Sequence, residues 1–339
     1  MNRIFLLLCA VFLCHVNVVF AFQNEDELNP INIHTEIQIN KIYGINEQDE
    51  TYIVDAYLVT SWKANHLGFE PKKTIIYENQ LVDQKLEEGL WIPAFEFINV
   101  LSSRDIANKQ IIIRKDSTIT YNERFNAVFS SEMKFETFPF DQQRFVIQLE
   151  TFSYNEGKVK FSVAEGHQKF TSEGISEEWE ILDEEIYTSS IPYTHLSENG
   201  EPVIYSRYNQ EVLAKRKTRY YVWQFIIPIF LIISISWSVF WLSSLSDQLA
   251  TNFTLMLTVV AFNFNASSML PNLPYSTFIE SLITIGYISI FISLIIVIKA
   301  HLLEKESKKL NFKKLMNYCK LLFPISFLLS VLIQVFLFF

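Results

Sequence analysis

The chain has 339 residues, of which 50% are hydrophobic and 19% are charged, and its formal net charge is −9. The charge is unevenly distributed: residues 1–218 carry 33 acidic and 20 basic side chains, whereas residues 219–339 carry 4 and 8. The second part keeps long uncharged apolar runs, which argues against a purely soluble globular enzyme. The acidic first part would repel phosphates, which argues against nucleic-acid binding.

Residues 1–21 have the pattern of a secretory signal peptide, with a short basic start, an apolar core at 4–13 and a small-residue cleavage site that ends in Ala. The alternative is a first membrane helix, but polar residues interrupt the apolar run. Cleavage would remove Cys9 and Cys14 and leave only Cys319. No intramolecular disulfide is therefore expected in the mature chain.

From about residue 28 to residue 211, apolar and polar side chains alternate, as they do in half-buried antiparallel strands. Residues 52–58, 144–150 and 158–163 are clear examples, and turn-rich segments separate such runs. Roughly ten short strands without helical periodicity predict an immunoglobulin-like β-sandwich. We expect residues 22–218 to fold as one exported domain, because a chain of that length buries a sufficient core.

Residues 219–339 contain four stretches that are long and apolar enough to cross a bilayer, which takes about 20 residues each. They predict a four-helix transmembrane bundle with spans at 220–242, 248–268, 276–299 and 315–339. Pro228 in the first span is compatible with a membrane helix packed against neighbours. The loop at 299–320 holds seven Lys, so the positive-inside rule places it in the cytoplasm.

The second span is unusually polar, and such a helix favours water or protein on one side. Helical periodicity gives two candidate faces: Ala250, Thr254, Leu257, Ala261 and Phe264, or Gln248, Asn252, Leu255, Val259 and Phe262. Several copies of either face around an axis would form a pore with an apolar constriction that gates by dewetting. The alternative is a buried helix whose hydroxyls and amides bond across helices. Helical periodicity alone does not decide between the two faces, or between a pore helix and a buried helix.

Asp247 is the only formally charged residue between Arg219 and Glu280, and it lies at the cytoplasmic end of the polar span. Copies from several subunits would form a carboxylate ring that attracts cations and repels anions. A lone acid at a helix N-terminus also stabilises the helix dipole, so both roles stay open.

Phe-Pro-Phe-Asp at residues 138–141, in an exported sandwich followed by four spans, resembles the pentameric ligand-gated ion channels, the Cys-loop receptor family. In animal members two cysteines bracket this loop at positions that fall here on Ser131 and Phe145, and their absence resembles the bacterial branch. Trp-Ile-Pro at 91–93 and Arg216 before the first span match as well. Matching blocks of sequence cover nearly the whole mature chain.

The resemblance implies a homopentamer with a central pore, embedded in the lipid of a bacterial inner membrane with its sandwich in the periplasm, and acting without a cofactor. It aligns a pore-lining set with the second span: Asp247, Ala250, Thr254, Leu257, Ala261 and Phe264. Asp247 would form the selectivity ring, and the segment from Leu257 to Phe264 would form the gate. We therefore expect a channel that conducts monovalent cations.

The resemblance also implies a ligand site between neighbouring sandwiches, in an aromatic box with a nearby acid. The matching positions are Asn122, Glu150, Phe152, Tyr193 and Tyr205 on one face, with Tyr57 and Asn79 on the other. Such a box attracts an amine through cation–π and charge interactions of about 1–2 kcal/mol each. Because Glu150 matches the acid of the box, a primary amine is the expected agonist.

Two positions depart from the bacterial pattern of the box: Gln38 stands where an aromatic is expected and Gln110 where an Arg is expected. The box would then take a different amine or be vestigial. Ordinary surface aromatics on strands are the simpler interpretation of its Tyr and Phe residues.

The resemblance assigns Asp141 and Arg216, with Pro139 and Pro271 on adjoining loops, to the coupling of ligand binding to pore opening. Asp141 and Arg216 have opposite charges at the place where sandwich and membrane domain meet, so they could equally well hold the two domains together. If the pair touches, reversing both charges should restore gating lost in either single reversal.

Two further hypotheses stay open: a channel gated by pH, or a non-conducting membrane receptor whose spans serve as an anchor. The His residues are scattered without metal-ligand spacing, and the chain has no nucleophile motif or glycine-rich phosphate loop. We therefore expect no metal site and no enzymatic activity.

Overall fold

The computed structural model describes residues 29–64, 71–166, 169–170, 172–198, 200–305 and 309–339. The predicted signal peptide and its cleavage site lie outside the described residues. The described part consists of a β-sandwich followed by four long helices, as the sequence predicts.

The sandwich is built from strands in two sheets. The strands are β1 (Ile31–Asn46), β2 (Thr51–Lys63), β3 (Ile75–Glu78), β4 (Phe95–Phe97), β5 (Asp105–Ile113), β6 (Thr118–Ser130), β7 (Gln142–Thr151), β8 (Val159–Val163), β9 (Trp179–Glu198) and β10 (Glu201–Arg216). One sheet has the order β3-β5-β6-β2-β1-β8 and the other β4-β7-β10-β9. A short helix, α1 (Gln80–Glu87), follows β3.

The alternation read from the sequence corresponds to burial in the sandwich. In β7, Phe145, Ile147 and Leu149 are buried between the sheets, and in β6 the same holds for Phe125 and Phe129. Each such side chain stabilises the fold by about 1.5–3 kcal/mol when fully buried. Intervening residues of both strands face outward from the sheets, and this outer surface is where ligand-binding groups can stand.

Ser131 and Phe145, the two positions that the resemblance aligns with cysteines of animal receptors, each make noncovalent contacts. Ser131 Oγ donates to the carbonyl of Arg144 at 2.9 Å. Phe145 packs edge-on against Tyr52 and Trp179, with ring centroids 5.0 and 5.5 Å apart. The loop between β6 and β7 is thus closed at its base by noncovalent contacts.

Four helices in the second part are long and apolar enough to cross a membrane. They are α2 (Arg219–Trp241), α3 (Leu245–Ser267), α4 (Phe278–Lys305) and α5 (Lys309–Phe338). A π-helical turn at Val222–Ile226 precedes Pro228 in α2. Proline lacks a backbone N–H, and the wider turn accommodates the carbonyl that it leaves unpaired.

Candidate pore, ligand site and domain junction

Helix α3 begins with a side-chain cap. The hydroxyl of Ser244 accepts a hydrogen bond from the backbone N–H of Asp247 at 3.4 Å, and Asp247 lies in the first turn. A carboxylate there stabilises the helix by about 0.3–1 kcal/mol through the dipole. The side chain of Asp247 is exposed in the subunit. It therefore has a structural role and is also accessible to ions.

The two candidate faces of α3 differ sharply in burial. Leu257 and Phe264 are 70% and 72% exposed in the subunit, and Asp247, Ala250, Thr254 and Ala261 on the same stripe are exposed as well. On the other stripe, Asn252 is 1% and Val259 0% exposed. The stripe of Asn252 and Val259 packs against the rest of the subunit. The stripe that begins with Asp247 remains accessible to solvent or to neighbouring subunits.

The exposed stripe changes character along its length. The hydroxyls of Thr254 and Thr258 donate to the carbonyls of Ala250 and Thr254 at 2.9 and 2.8 Å. Their donors are used within the helix, so their oxygens are available as acceptors. Leu257, Ala261 and Phe264, in the half of α3 nearer the sandwich, carry no polar side-chain atom. Along α3, the exposed stripe thus has a carboxylate in the first turn, then hydroxyl oxygens that can accept hydrogen bonds, and then an apolar segment near the sandwich.

A groove of about 400 Å³ opens on the outer face of the six-stranded sheet. It is lined by Tyr57 of β2, Asn79 before α1 and Asn122 of β6, together with Gln38 and Gln110. Gln110 and Asn122 are partners across β5 and β6, and an Asn122 Nδ2 to Gln110 Oε1 contact of 3.5 Å joins them. Asn122 therefore lies with Tyr57 and Asn79, and its expected grouping with Glu150 is wrong.

The other predicted ligand residues stand on the outer face of the four-stranded sheet. The hydroxyl of Tyr193 donates to Glu150 at 3.1 Å, and the rings of Tyr193 and Tyr205 meet edge-on at 5.5 Å. Burial, followed by the Glu150 carboxylate, raises the pKa of Tyr193, so its phenol stays protonated. Phe152 lies at the end of β7 and is 70% exposed.

Arg207 of β10 is a residue of this cluster that the sequence argument missed. Its Nε lies 2.6 Å from Glu150 Oε1, and its Nη2 donates to the Tyr193 hydroxyl at 2.9 Å. The side chains of Arg207 and Glu150 are only 14% and 4% exposed. The carboxylate expected to hold an amine is therefore already paired with a guanidinium.

Glu96 of β4 is a second missed residue. It pairs directly with Glu150 across β4 and β7, so its side chain lies on the same outer face, and it is exposed. Side chains of directly paired residues have Cβ atoms about 4.5–5.5 Å apart. With Glu96 and Glu150 against Arg207, the cluster keeps a net charge of −1, and the accessible acid is Glu96.

The two halves of the predicted ligand site do not meet within one subunit. Tyr57, Asn79 and Asn122 lie outside one sheet, whereas Glu150, Phe152, Tyr193 and Tyr205 lie outside the other. The sandwich core separates them. A site composed of both halves requires that one subunit's face be set against the opposite face of its neighbour.

Arg216, at the end of β10, is buried at the junction of the two domains. Its Nε and Nη2 bond Asp141 Oδ1 and Oδ2 at 2.8 and 3.1 Å, and its Nη1 bonds Glu47 at 2.6 Å and the Tyr221 hydroxyl at 3.0 Å. Its guanidinium carbon lies 4.3 Å from the Trp179 ring centroid. Burial opposes the charge, but hydrogen bonds and attraction from Asp141 outweigh it and raise the pKa of Arg216.

Loops of the sandwich contact the helices around this pair. The segment containing Asp141 also carries Phe138, whose ring meets Tyr221 of α2 at 5.0 Å, and Phe140, whose ring meets Phe278 of α4 at 5.9 Å. Pro139 stands between these two anchors in a cis peptide bond.

The β1–β2 loop contacts the C-terminal end of α3. Gln48 Nε2 donates to the carbonyl of Ser268 at 2.5 Å. Pro271 follows in the loop between α3 and α4 and is half-buried, and the hydroxyl of Tyr275 in that loop accepts from the N–H of Phe135 at 3.3 Å. Both Glu47, which binds Arg216, and Gln48 therefore belong to a loop that touches the end of α3.

Among the described residues, no group of three or more His, Cys, Asp or Glu side chains could hold a metal ion. The candidate sites in that part of the chain are the exposed stripe of α3, the groove at Tyr57, the cluster around Glu150 and the buried charges around Arg216. None of them has the arrangement of a nucleophile and a base.

The comparisons with known proteins agree with this architecture. Residues 19–217 match the model of the neurotransmitter-gated ion-channel ligand-binding domain. The chain is 28% identical over 310 residues to a proton-gated ion channel of Gloeobacter violaceus, covering 91% of this chain and 84% of the relative. It is 23% identical over 275 residues to the gamma-aminobutyric acid receptor subunit beta-4 of Gallus gallus, covering 79% of this chain and 54% of that subunit. The chain therefore belongs to the pentameric ligand-gated ion channels, and is of the bacterial type.

Proposed function

We propose that this ligand-gated channel is a homopentamer of a bacterial inner membrane that conducts monovalent cations. The exposed stripe of α3 is the observation that carries the proposal. A non-conducting anchor has no need for an exposed helix face that joins Asp247, the acceptor oxygen of Thr254 and an apolar end at Leu257 and Phe264. Facing a common axis, five copies would give a carboxylate ring below a hydrophobic gate.

The proposal is tested by cysteine accessibility on the two faces of α3. Thr254→Cys on the exposed stripe and Asn252→Cys on the buried stripe lie at nearly the same height. A thiol reagent that carries charge should block the current of the first variant and leave the second unchanged. Block of Asn252→Cys alone would show that the other face lines the pore. Absence of current from the unmodified chain under every stimulus would favour the non-conducting receptor.

We further propose that the ligand is a primary amine bound between neighbouring sandwiches. Phe152, Tyr193 and Tyr205 present aromatic surface for a cation–π contact, which is worth about 0.5–2 kcal/mol. Because Arg207 already neutralises Glu150, Glu96 is the carboxylate that an incoming ammonium can reach. On the neighbouring subunit, the groove of Tyr57, Asn79 and Asn122, bordered by Gln38 and Gln110, would receive the rest of the molecule.

The amine proposal predicts that Phe152→Ala abolishes amine-evoked current while surface expression is kept. Glu96→Gln should raise the half-maximal amine concentration about tenfold, the loss of one charge-assisted contact of about 1.4 kcal/mol. Arg144→Gln, which removes an exposed charge from the same sheet, is the matched control and should leave the response unchanged. An unchanged amine response in both Phe152→Ala and Glu96→Gln would refute this ligand class.

A second candidate trigger is a fall in pH, favoured by the relative that is a proton-gated ion channel. The N-terminal domain is strongly acidic, so protonation would alter many of its charges. Stepping the external pH from 7.5 to 5 without amine separates the two triggers. Current under that condition, retained in Phe152→Ala, would establish proton gating.

A further inference from the structure

Four buried side chains in the helix bundle carry a polar atom that has no hydrogen-bond partner among the described residues. One of them, Gln334 of α5, bonds Ser281 near the start of α4 through its other amide atom and lies apart from the remaining three. The remaining three are the Oγ of Ser236 in α2, the Oδ1 of Asn252 in α3 and the Oγ of Ser293 in α4. Their exposed fractions are 0%, 1% and 0%. Each of three neighbouring helices thus contributes one such atom.

Other hydroxyls of the four-helix bundle bond within their own helices. Ser234 and Ser330 donate to the carbonyls four residues earlier, Phe230 and Ser326, each at 2.8 Å. This internal bond is the usual solution for a hydroxyl in a helix. Ser236 and Ser293 do not make it, although they are fully buried. Asn252 uses its Nδ2 to bond the carbonyl of Gln248 at 3.0 Å, which leaves Oδ1 as an acceptor.

The atoms of α2 and α4 lie at one level on facing sides. A Cβ placed on Gly286 would lie 3.7 Å from Cγ1 of Ile229, so the two helices touch there. Both helices run from the sandwich side of the bundle towards the other end. Ser236 follows Ile229 by seven residues and Ser293 follows Gly286 by seven, which is nearly two full turns on each helix. The two hydroxyls therefore return to the same contact face at the same depth.

Helix α3 brings Asn252 to this level as well. Gln248 Nε2 bonds the carbonyl of Val239 at 3.2 Å, which fixes α3 against α2. Asn252 lies four residues from Gln248 along α3, and Ser236 lies three residues from Val239 along α2, both in the direction of the sandwich. At 1.5 Å per residue, the heights differ by about 2 Å.

A second contact fixes α3 against α4. The Tyr287 hydroxyl donates to the carbonyl of Val259 at 3.4 Å. Asn252 lies seven residues from Val259 along α3, and Ser293 lies six residues from Tyr287 along α4, both in the direction away from the sandwich. Both estimates place the three polar atoms within about one helical turn of each other.

We propose that these three atoms form an internal binding site for one ordered water molecule. Its protons would bond Asn252 Oδ1 and one serine oxygen, and its own oxygen would accept from the other serine hydroxyl. A buried water typically makes about three hydrogen bonds to otherwise unsatisfied groups, which matches this set. The water links α3 to both α2 and α4. Its effect on pore opening rests on the proposed function, whereas its presence does not.

A double-mutant cycle on the purified full-length pentamer tests the site without any current measurement. Ser236→Ala and Ser293→Ala should each lower the thermal unfolding midpoint by a few degrees, since each removes one partner of the water. The double variant should lower it by clearly less than the sum, because the second hydroxyl loses little once the water has gone. Ser234→Ala with Ser330→Ala, whose hydroxyls bond their own helices, should be additive.

Single variants that are neutral or more stable would show that the hydroxyls are unpartnered, and an additive double variant would show that no molecule joins them. Either result overturns the proposal. The direct check is a structure of the pentamer at a resolution that shows water. Density within hydrogen-bond distance of all three atoms supports the site, whereas an empty site or a direct Ser–Asn bond contradicts it.

Discussion

Replacing Arg216 with Met should destabilise the subunit more than replacing Asp141 with Asn. Both side chains are completely buried. Without the guanidinium, the Asp141 carboxylate keeps one neutral donor, the Nε2 of Gln143 at 2.7 Å. Breaking a buried ion pair by removing one partner costs about 3–5 kcal/mol, because the other charge is left uncompensated.

In Asp141→Asn, the buried charge of Arg216 keeps more partners than the charge of Asp141 keeps in Arg216→Met. The guanidinium keeps Glu47 at 2.6 Å, the Tyr221 hydroxyl at 3.0 Å and the face of Trp179. The loss should be about 1.5–3 kcal/mol, as expected for a hydrogen bond to a charged group. The same surroundings revise the charge-reversal experiment: a carboxylate at position 216 would meet Glu47 and aromatic ring faces. Reversing both charges should therefore fail to restore gating.

The assay is thermal unfolding of the purified pentamer, with surface expression measured in parallel. Arg144→Met is the matched control, because its pair with Glu211 is 57% and 16% exposed and should contribute about 0–1 kcal/mol. We expect the midpoint of Arg216→Met to lie lowest, Asp141→Asn next and Arg144→Met near that of the unmodified chain. Equal effects of Arg216→Met and Asp141→Asn would refute the reasoning that Glu47 and the aromatic rings hold the guanidinium.

Three further predictions follow from single residues. Asp247→Asn should reduce the sodium-to-chloride permeability ratio about fivefold or more, measured from reversal potentials, because the proposed carboxylate ring loses its charge; an unchanged ratio would place selectivity elsewhere. Leu257→Thr should lower the half-maximal ligand concentration about tenfold, since a polar residue in the proposed gate favours wetting; a right shift would contradict the gate. Gly44→Ala should cost about 1–2 kcal/mol in thermal unfolding, because Gly44 in β1 has φ +57° and its Cβ would stand 2.9 Å from Ile53 Cδ1; no loss of stability would contradict the expected backbone strain.

The β-sandwich and the four helices could be predicted from the sequence because each element has its own local pattern of apolar and polar residues. Alternation in β7 predicts which residues are buried, and apolar runs predict the four helices, since both patterns follow directly from the geometry of one element. The two stripes of α3 have the same helical period, so periodicity could not separate them. Their difference lies in what packs against each face, and that depends on α2 and α4.

The candidate ligand site depended on contacts between distant residues. Glu150 and Arg207 are 57 residues apart and meet only through the register of β7 and β10. Glu96 reaches the cluster through the pairing of β4 with β7. One signal was available: Arg207 follows Tyr205 by two residues on a strand, so the two share a face. Asn122 was grouped wrongly because its pairing with Gln110 is likewise a matter of register.

The central claim is that five copies of the exposed stripe of α3 line a cation-selective pore. It is tested most directly by the reversal potential of the evoked current when sodium chloride outside the cell is lowered tenfold. A cation-selective pore predicts a shift of nearly 60 mV in the negative direction, towards the new sodium potential. A shift of the opposite sign, towards the chloride potential, would contradict the account.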